Sequence, residues 1–104
     1  MSPIARAVTA GFVLAALLMP LAGRAGDEDA VASHLAAAEA ALEDNRYKAA
    51  SEEYRKAALL SDDVEVARQA TRVSYSYGFN EDALAVAERW FRLDPDDDEA
   101  LLYV

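Results

Sequence analysis

The side chains with the most chemical potential in this chain are His34, the acid pairs Glu52-Glu53 and Asp62-Asp63, and the set Arg68, Arg72 and Tyr75. Nucleophilic or hydrolytic chemistry needs a nucleophile beside a base, or a bound metal. The chain has one histidine and no cysteine. Adjacent residues of a helix do not face each other, so neither acid pair can work as paired carboxylates. No Gly-rich phosphate loop, metal-ligand spacing or Ser/His arrangement is present. His34 falls on the inward face of the first predicted helix, one turn from Ala38, and reads as a packed residue and not a ligand. The expectation is a binding module without catalytic residues, cofactor or metal. Arg68 and Arg72 stand one helical turn apart, with Tyr75 a further turn on. Two guanidinium forks so spaced can take a carboxylate or an acidic segment in bidentate fashion. The alternative is that they pair with Glu65 and nearby acids, a surface arrangement that contributes little.

Length and charge narrow the partners. The chain has 104 residues, enough for one small domain. Its formal net charge is −9. Residues 26–104 hold 8 Lys+Arg against 19 Asp+Glu, a net of −11. Such a surface repels phosphate backbones and anionic headgroups, so nucleic acid is excluded as a partner. The acids gather at Asp27–Asp29, Asp62-Asp63 and Asp96–Glu99, each where a helix N-terminus is expected and where the helix dipole favours acid. The lack of cysteine rules out disulfides, thiolate chemistry and a lipid-attachment site.

Residues 1–25 have the three-part layout of an export signal. Met1–Arg6 carries one positive side chain, Ala7–Ala22 is apolar apart from Thr9 and Gly11, and Gly23-Arg24-Ala25 offers small residues at −3 and −1. Pro20 is expected to break the helix near the end of the apolar run. Cleavage is expected after Ala25, leaving a periplasmic or secreted chain. The alternative is a membrane anchor formed by an uncleaved Ala7–Ala22, the one segment through which membrane contact is expected. The uncharged stretch is at the short limit for spanning.

The remaining residues are helical throughout, with no strand pattern. Residues 30–44 are strong helix formers. Ala50, Tyr54, Ala57 and Ala58 share a face, as do Val66, Ala67, Ala70, Val73 and Tyr77, and then Leu84, Ala87 and Phe91. Asn80 and Asp96 are predicted N-caps, with Glu99 completing a capping box. Linkers of two or three residues force neighbouring helices antiparallel. Aligning Ala50 with Ala83 lays Ala57 over Trp90, Leu60 over Leu93 and Asp62 over Pro95, a period of 33 residues.

That period and these residues resemble the tetratricopeptide repeat family. Thr71 takes its small position, Gly78 its turn, Ala83 the opening of its second helix, and Leu93-Asp94-Pro95 its exit. Ala87 falls in the same helix. In the first unit Ala38 is the small residue, Asn45 takes the turn, and Tyr47, Ala50, Tyr54 and Ala57 follow the family spacing. Trp90 stands where a small residue is usual and predicts a wider gap. The resemblance implies an all-α fold of antiparallel helix-turn-helix repeats in a right-handed α-solenoid. Its parts would be an export signal at 1–25, an acidic leader at 26–29, repeats at 30–63 and 64–97, and the start of a truncated third at 98–104. The last residues are mostly apolar, the reverse of a polar end cap.

The resemblance further implies a concave groove lined by the first helix of each pair. Its positions are Ala32, Leu35, Glu39 and Leu42 in the first unit and Glu65, Arg68, Arg72 and Tyr75 in the second. The chain looks similar to envelope repeat proteins of Gram-negative bacteria. That implies an exported scaffold or adaptor that binds a protein or peptide partner, such as an envelope protease or assembly machinery. The other reading is the regulatory or substrate-positioning repeat region of a larger envelope enzyme.

Overall fold

A computed structural model describes the backbone of residues 19–104 and the side chains from Gly26 onward. Most of the expected export signal lies outside the described residues. The described chain is helical, without strands: α1 (Met19–Glu43), α2 (Tyr47–Leu60), α3 (Val64–Ser76), α4 (Asn80–Leu93) and the single turn α5 (Asp98–Leu101). α1 packs on α2 and α3 on α4, and the two pairs join through α2 against α3 and α4.

The chain turns within each pair by the same device. α1 ends where Asn45 adopts a positive φ of 62°, and α3 ends where Gly78 adopts 81°. At the first turn Arg46 N–H donates to Ala41 O at 2.8 Å and Asn45 N–H to Leu42 O at 3.1 Å. At the second, Phe79 N–H donates to Ser74 O at 2.9 Å and Gly78 N–H to Tyr75 O at 3.1 Å. Both are Schellman motifs, which use the last helical carbonyls and require a left-handed residue. The later bonds recur in step. Ala50 N–H to Arg46 O matches Ala83 N–H to Phe79 O, and Ser61 N–H to Ala57 O matches Asp94 N–H to Trp90 O. The next helices open alike too, with Asp63 capping Glu65 N–H and Asp97 capping Glu99 N–H, each at 2.9 Å.

Alanine builds most of the core. Ala38, Ala50, Ala57, Ala67, Ala70 and Ala87 are fully buried, so the helix backbones can approach closely. Tyr54, Val86 and Trp90 supply most of the bulk. Three buried hydroxyls sit among them, and none is left unsatisfied. Thr71 Oγ1 donates to Ala67 O at 2.7 Å within its own helix. Ser51 donates to Asp82 at 2.7 Å and lies 2.8 Å from Ser74 Oγ. A hydroxyl carries one proton, so Ser74 must be the donor to Ser51. Arg55 holds the other Asp82 oxygen at 3.0 Å. This chain of bonds ties α2, α3 and α4 together.

Several local expectations need correction. α1 is helical through the expected cleavage junction Ala25–Gly26, and the apolar run that Pro20 is expected to end lies mostly outside the described residues. The Asp27–Asp29 acids are therefore inside a helix and not at its start. The helix start falls elsewhere than predicted in two places. Phe79 stands at the N-cap of α4 without a side-chain bond, and Asp97, not Asp96, caps α5. The buried face of α4 is Ala83, Val86, Ala87 and Trp90, and Leu84 faces solvent. Tyr77 is 46% exposed, yet it stacks on Tyr47 with centroids 4.1 Å apart. Among the described residues no helix is long and apolar enough to cross a membrane.

Candidate partner-binding surface

Arg68, Arg72 and Tyr75 lie on the same side of α3 and face α5. Arg72 donates from Nε to Glu99 Oε2 at 2.9 Å and from Nη2 to Glu99 Oε1 at 2.7 Å. The bond to Arg72 holds the Glu99 carboxyl below its ordinary value, and the guanidinium is raised in return. Arg68 pairs with Glu65 and approaches Asp97 at 3.5 Å. Its guanidinium also sits 5.5 Å from the centre of the Trp90 ring. Tyr75 is 59% exposed and meets Tyr103 edge-on at 5.1 Å. Both arginine forks are thus engaged by carboxylates of this chain, the arrangement the sequence offered as the alternative to a carboxylate clamp.

Asp97 is the hub of that contact. Its Oδ1 caps α5, and its Oδ2 accepts from the Trp90 indole N–H at 3.1 Å. Burial pushes the Asp97 carboxyl up, but these bonds outweigh it and hold the group below its ordinary value. Trp90 is fully buried under Asp97, Ala100 and Tyr103. The bulk that predicts a wider gap is taken up by α5. Glu99, Asp97 and Tyr103 had no local signal as partners of α3. Only the acid-rich exit beside two arginines hinted at them. Beyond them Leu101, Leu102 and Val104 are exposed, Leu102 by 79%.

The first unit's groove positions divide. Leu35 and Leu42 are half-buried against the core, so they are partly structural. Ala32 and Glu39 are exposed. Burial raises the Tyr54 hydroxyl above its ordinary pKa, and the Glu39 charge adds to this. His34 is half-buried at the α1–α2 seam, with Nδ1 2.9 Å from Glu53 Oε1. Lys56 donates to the other Glu53 oxygen at 3.0 Å. His34 and then Lys56 hold the Glu53 carboxyl below its ordinary value. Of the repeat-packing set, Ala38, Ala50, Tyr54, Ala57, Thr71, Ala83, Ala87 and Trp90 are buried, Tyr47 is half-buried, and Gly78 and Pro95 are exposed at turns.

A second feature of this surface is a hollow of about 460 Å³ where the first half of α1 passes the end of α2 and the start of α3. Val31, Leu35 and Leu60 line it, with Asp27, Glu28, Asp62 and Asp63 around it. Among the described residues no three His, Cys, Asp or Glu side chains gather as a metal-holding group. No family model matches the chain, nor does any curated protein or solved structure.

Proposed function

We propose that this chain is an exported helical-repeat scaffold of tetratricopeptide type, which holds a protein or peptide partner along the side formed by α1, α3 and α5. The observation that carries the reading is the recurrence of one Schellman turn at Asn45 and Gly78, with the flanking backbone bonds repeating in step. Recurrent helix pairs with short turns stack into arrays whose first helices share one face. Large exposed groups on α3 and at the end of α5, Tyr75 and Leu102, suit a protein partner better than a small substrate.

Site-specific photo-cross-linking tests the reading. A photoreactive phenylalanine analogue at Tyr75 is expected to give a discrete adduct in the cell envelope. The same group at Glu88, exposed on α4, is expected to give none. Equal labelling from both positions, or none from Tyr75, rules against a scaffold that uses this face. Export is tested separately by N-terminal sequencing, with Gly26 expected as the first residue and an intact Met1 counting against cleavage.

A further inference from the structure

The hollow beside α1 differs in charge from the rest of the same face. Near α5, Arg68 and Arg72 are balanced by Glu65, Asp97 and Glu99. Around the hollow, Arg89 pairs with Asp62 at 2.9 Å and otherwise donates to the Ser61 and Ala58 carbonyls at the end of α2. From Gly26 onward no Lys or Arg lies in salt-bridge reach of Asp27, Glu28 or Asp63. Asp63 spends one oxygen on capping α3. A negative rim therefore surrounds an aliphatic floor of Val31, Leu35 and Leu60, of which Leu60 is 42% exposed. The volume of about 460 Å³ is in the range of ligand pockets, which run from ~300 to ~1,000 Å³.

We propose that this hollow takes a short cationic amphipathic segment of a partner protein. One or two aliphatic side chains would rest on Val31, Leu35 and Leu60, and flanking Lys or Arg would meet the carboxylates of Asp27, Glu28 and Asp63. This inference rests on the scaffold reading and names its partner's chemistry. Charge complementarity selects the occupant, because opposite potentials steer and register a bound segment while like charges oppose it. A second copy of this chain is disfavoured on the same ground. Its most exposed aliphatic stretch, Leu101, Leu102 and Val104, lies just after Asp96–Glu99, so its docking here would set acid against acid. An acidic segment is disfavoured for the same reason.

The probe is a fluorescent synthetic peptide of leucine and lysine in amphipathic order, titrated into the protein and followed by anisotropy. Saturable binding is expected. The leucine–glutamate counterpart is expected not to bind, and a serine–lysine counterpart to bind at least tenfold more weakly. Asp27→Lys with Glu28→Lys, both exposed, should weaken the leucine–lysine peptide at least tenfold, and Arg92→Ala, exposed on α4, should leave it unchanged. Leu60→Ser should weaken it with the charges intact, and circular dichroism reports whether each variant stays helical. Absence of binding, equal binding of the serine–lysine peptide, or indifference to the charge reversal overturns the proposal. Binding of the acidic peptide that Arg72→Ala abolishes also overturns it, while leaving the scaffold reading standing with an acidic partner.

Discussion

Arg72 grips Glu99 with two parallel hydrogen bonds, across 27 residues of sequence and from one helix pair to the next. This pair, the Asp97–Trp90 bond and the Arg68–Asp97 ion pair are polar links that hold the single turn α5 against α3 and α4. One turn of helix is not stable by itself, because nucleation fixes several residues for one hydrogen bond. α5 therefore depends on what it touches.

Trp90 is the only tryptophan and lies beneath α5, so its emission reports this contact. Arg72→Glu sets two carboxylates face to face. Loosening of α5, entry of water and a red shift of the emission are expected. The exchange Arg72→Glu with Glu99→Arg should restore the native spectrum. An unshifted spectrum in Arg72→Glu would show that Ala100 and Tyr103 hold α5 without the ion pair.

The Ser51–Ser74–Asp82 chain should be strongly non-additive. Ser51→Ala leaves the fully buried Ser74 hydroxyl without its partner, and an unsatisfied buried group costs ~1–3 kcal/mol. Adding Ser74→Ala removes the stranded group. The double variant should be no less stable than Ser51→Ala alone, although it has lost two hydroxyls. Urea unfolding of both single variants and the double measures this, and simple addition of the two costs would break the network account.

What could be read from sequence follows the range of the interactions. The helix pairs and the two left-handed turns rest on local cues, a small or flexible residue at Asn45 and Gly78 between runs of helix formers. On α4 the expected face holds at Ala87 and Phe91 and fails at Leu84, which is large and apolar yet lies outside the Ala83–Val86–Ala87–Trp90 stripe. The cap of α5 lies in a run of three aspartates. The Trp90 indole, seven residues away, engages Asp97 rather than Asp96, and no local pattern carries that information. The groove arginines were legible as a pair, and Glu65 as an acid within their reach, but Glu99 as the partner of Arg72 was not. Glu99 reaches Arg72 only after α4 has folded back on α3.

The turns allow a direct substitution test. A Cβ placed on Gly78 meets no atom within 4 Å, so Gly78→Ala is penalised by its backbone conformation alone. A left-handed residue with a side chain costs ~1–2 kcal/mol, and less for asparagine, which bonds locally. Gly78→Ala should therefore lower stability by about that amount, and Gly78→Asn, which copies the first turn, by less. Asn45→Val should cost at least as much as Gly78→Ala, because branching at Cβ adds to the strain. Thermal or urea unfolding orders the four proteins, and equal stability of Gly78→Ala and Gly78→Asn would remove the conformational argument.

Acid should weaken this fold through three carboxylates. Glu53 is held down by His34 and Lys56 and Glu99 by Arg72; at Asp97 burial raises the carboxyl, but backbone and indole hydrogen bonds outweigh it. A carboxyl whose folded pKa is depressed binds its proton more readily when unfolded, so it stabilises the fold above its unfolded value. The ordinary values are 4.5 for glutamate and 3.8 for aspartate. The contribution is whole above about pH 5 and drains away as pH falls through and below these values. All three groups are solvated, so each effect is modest. Glu53→Gln cannot titrate and should be less stable than the parent at neutral pH, with the two curves converging toward pH 3. His34→Ala removes the first cause of the Glu53 depression and should flatten the same limb. Parallel curves for parent and Glu53→Gln from pH 7 to pH 3 would show that Glu53 does not link acid to unfolding.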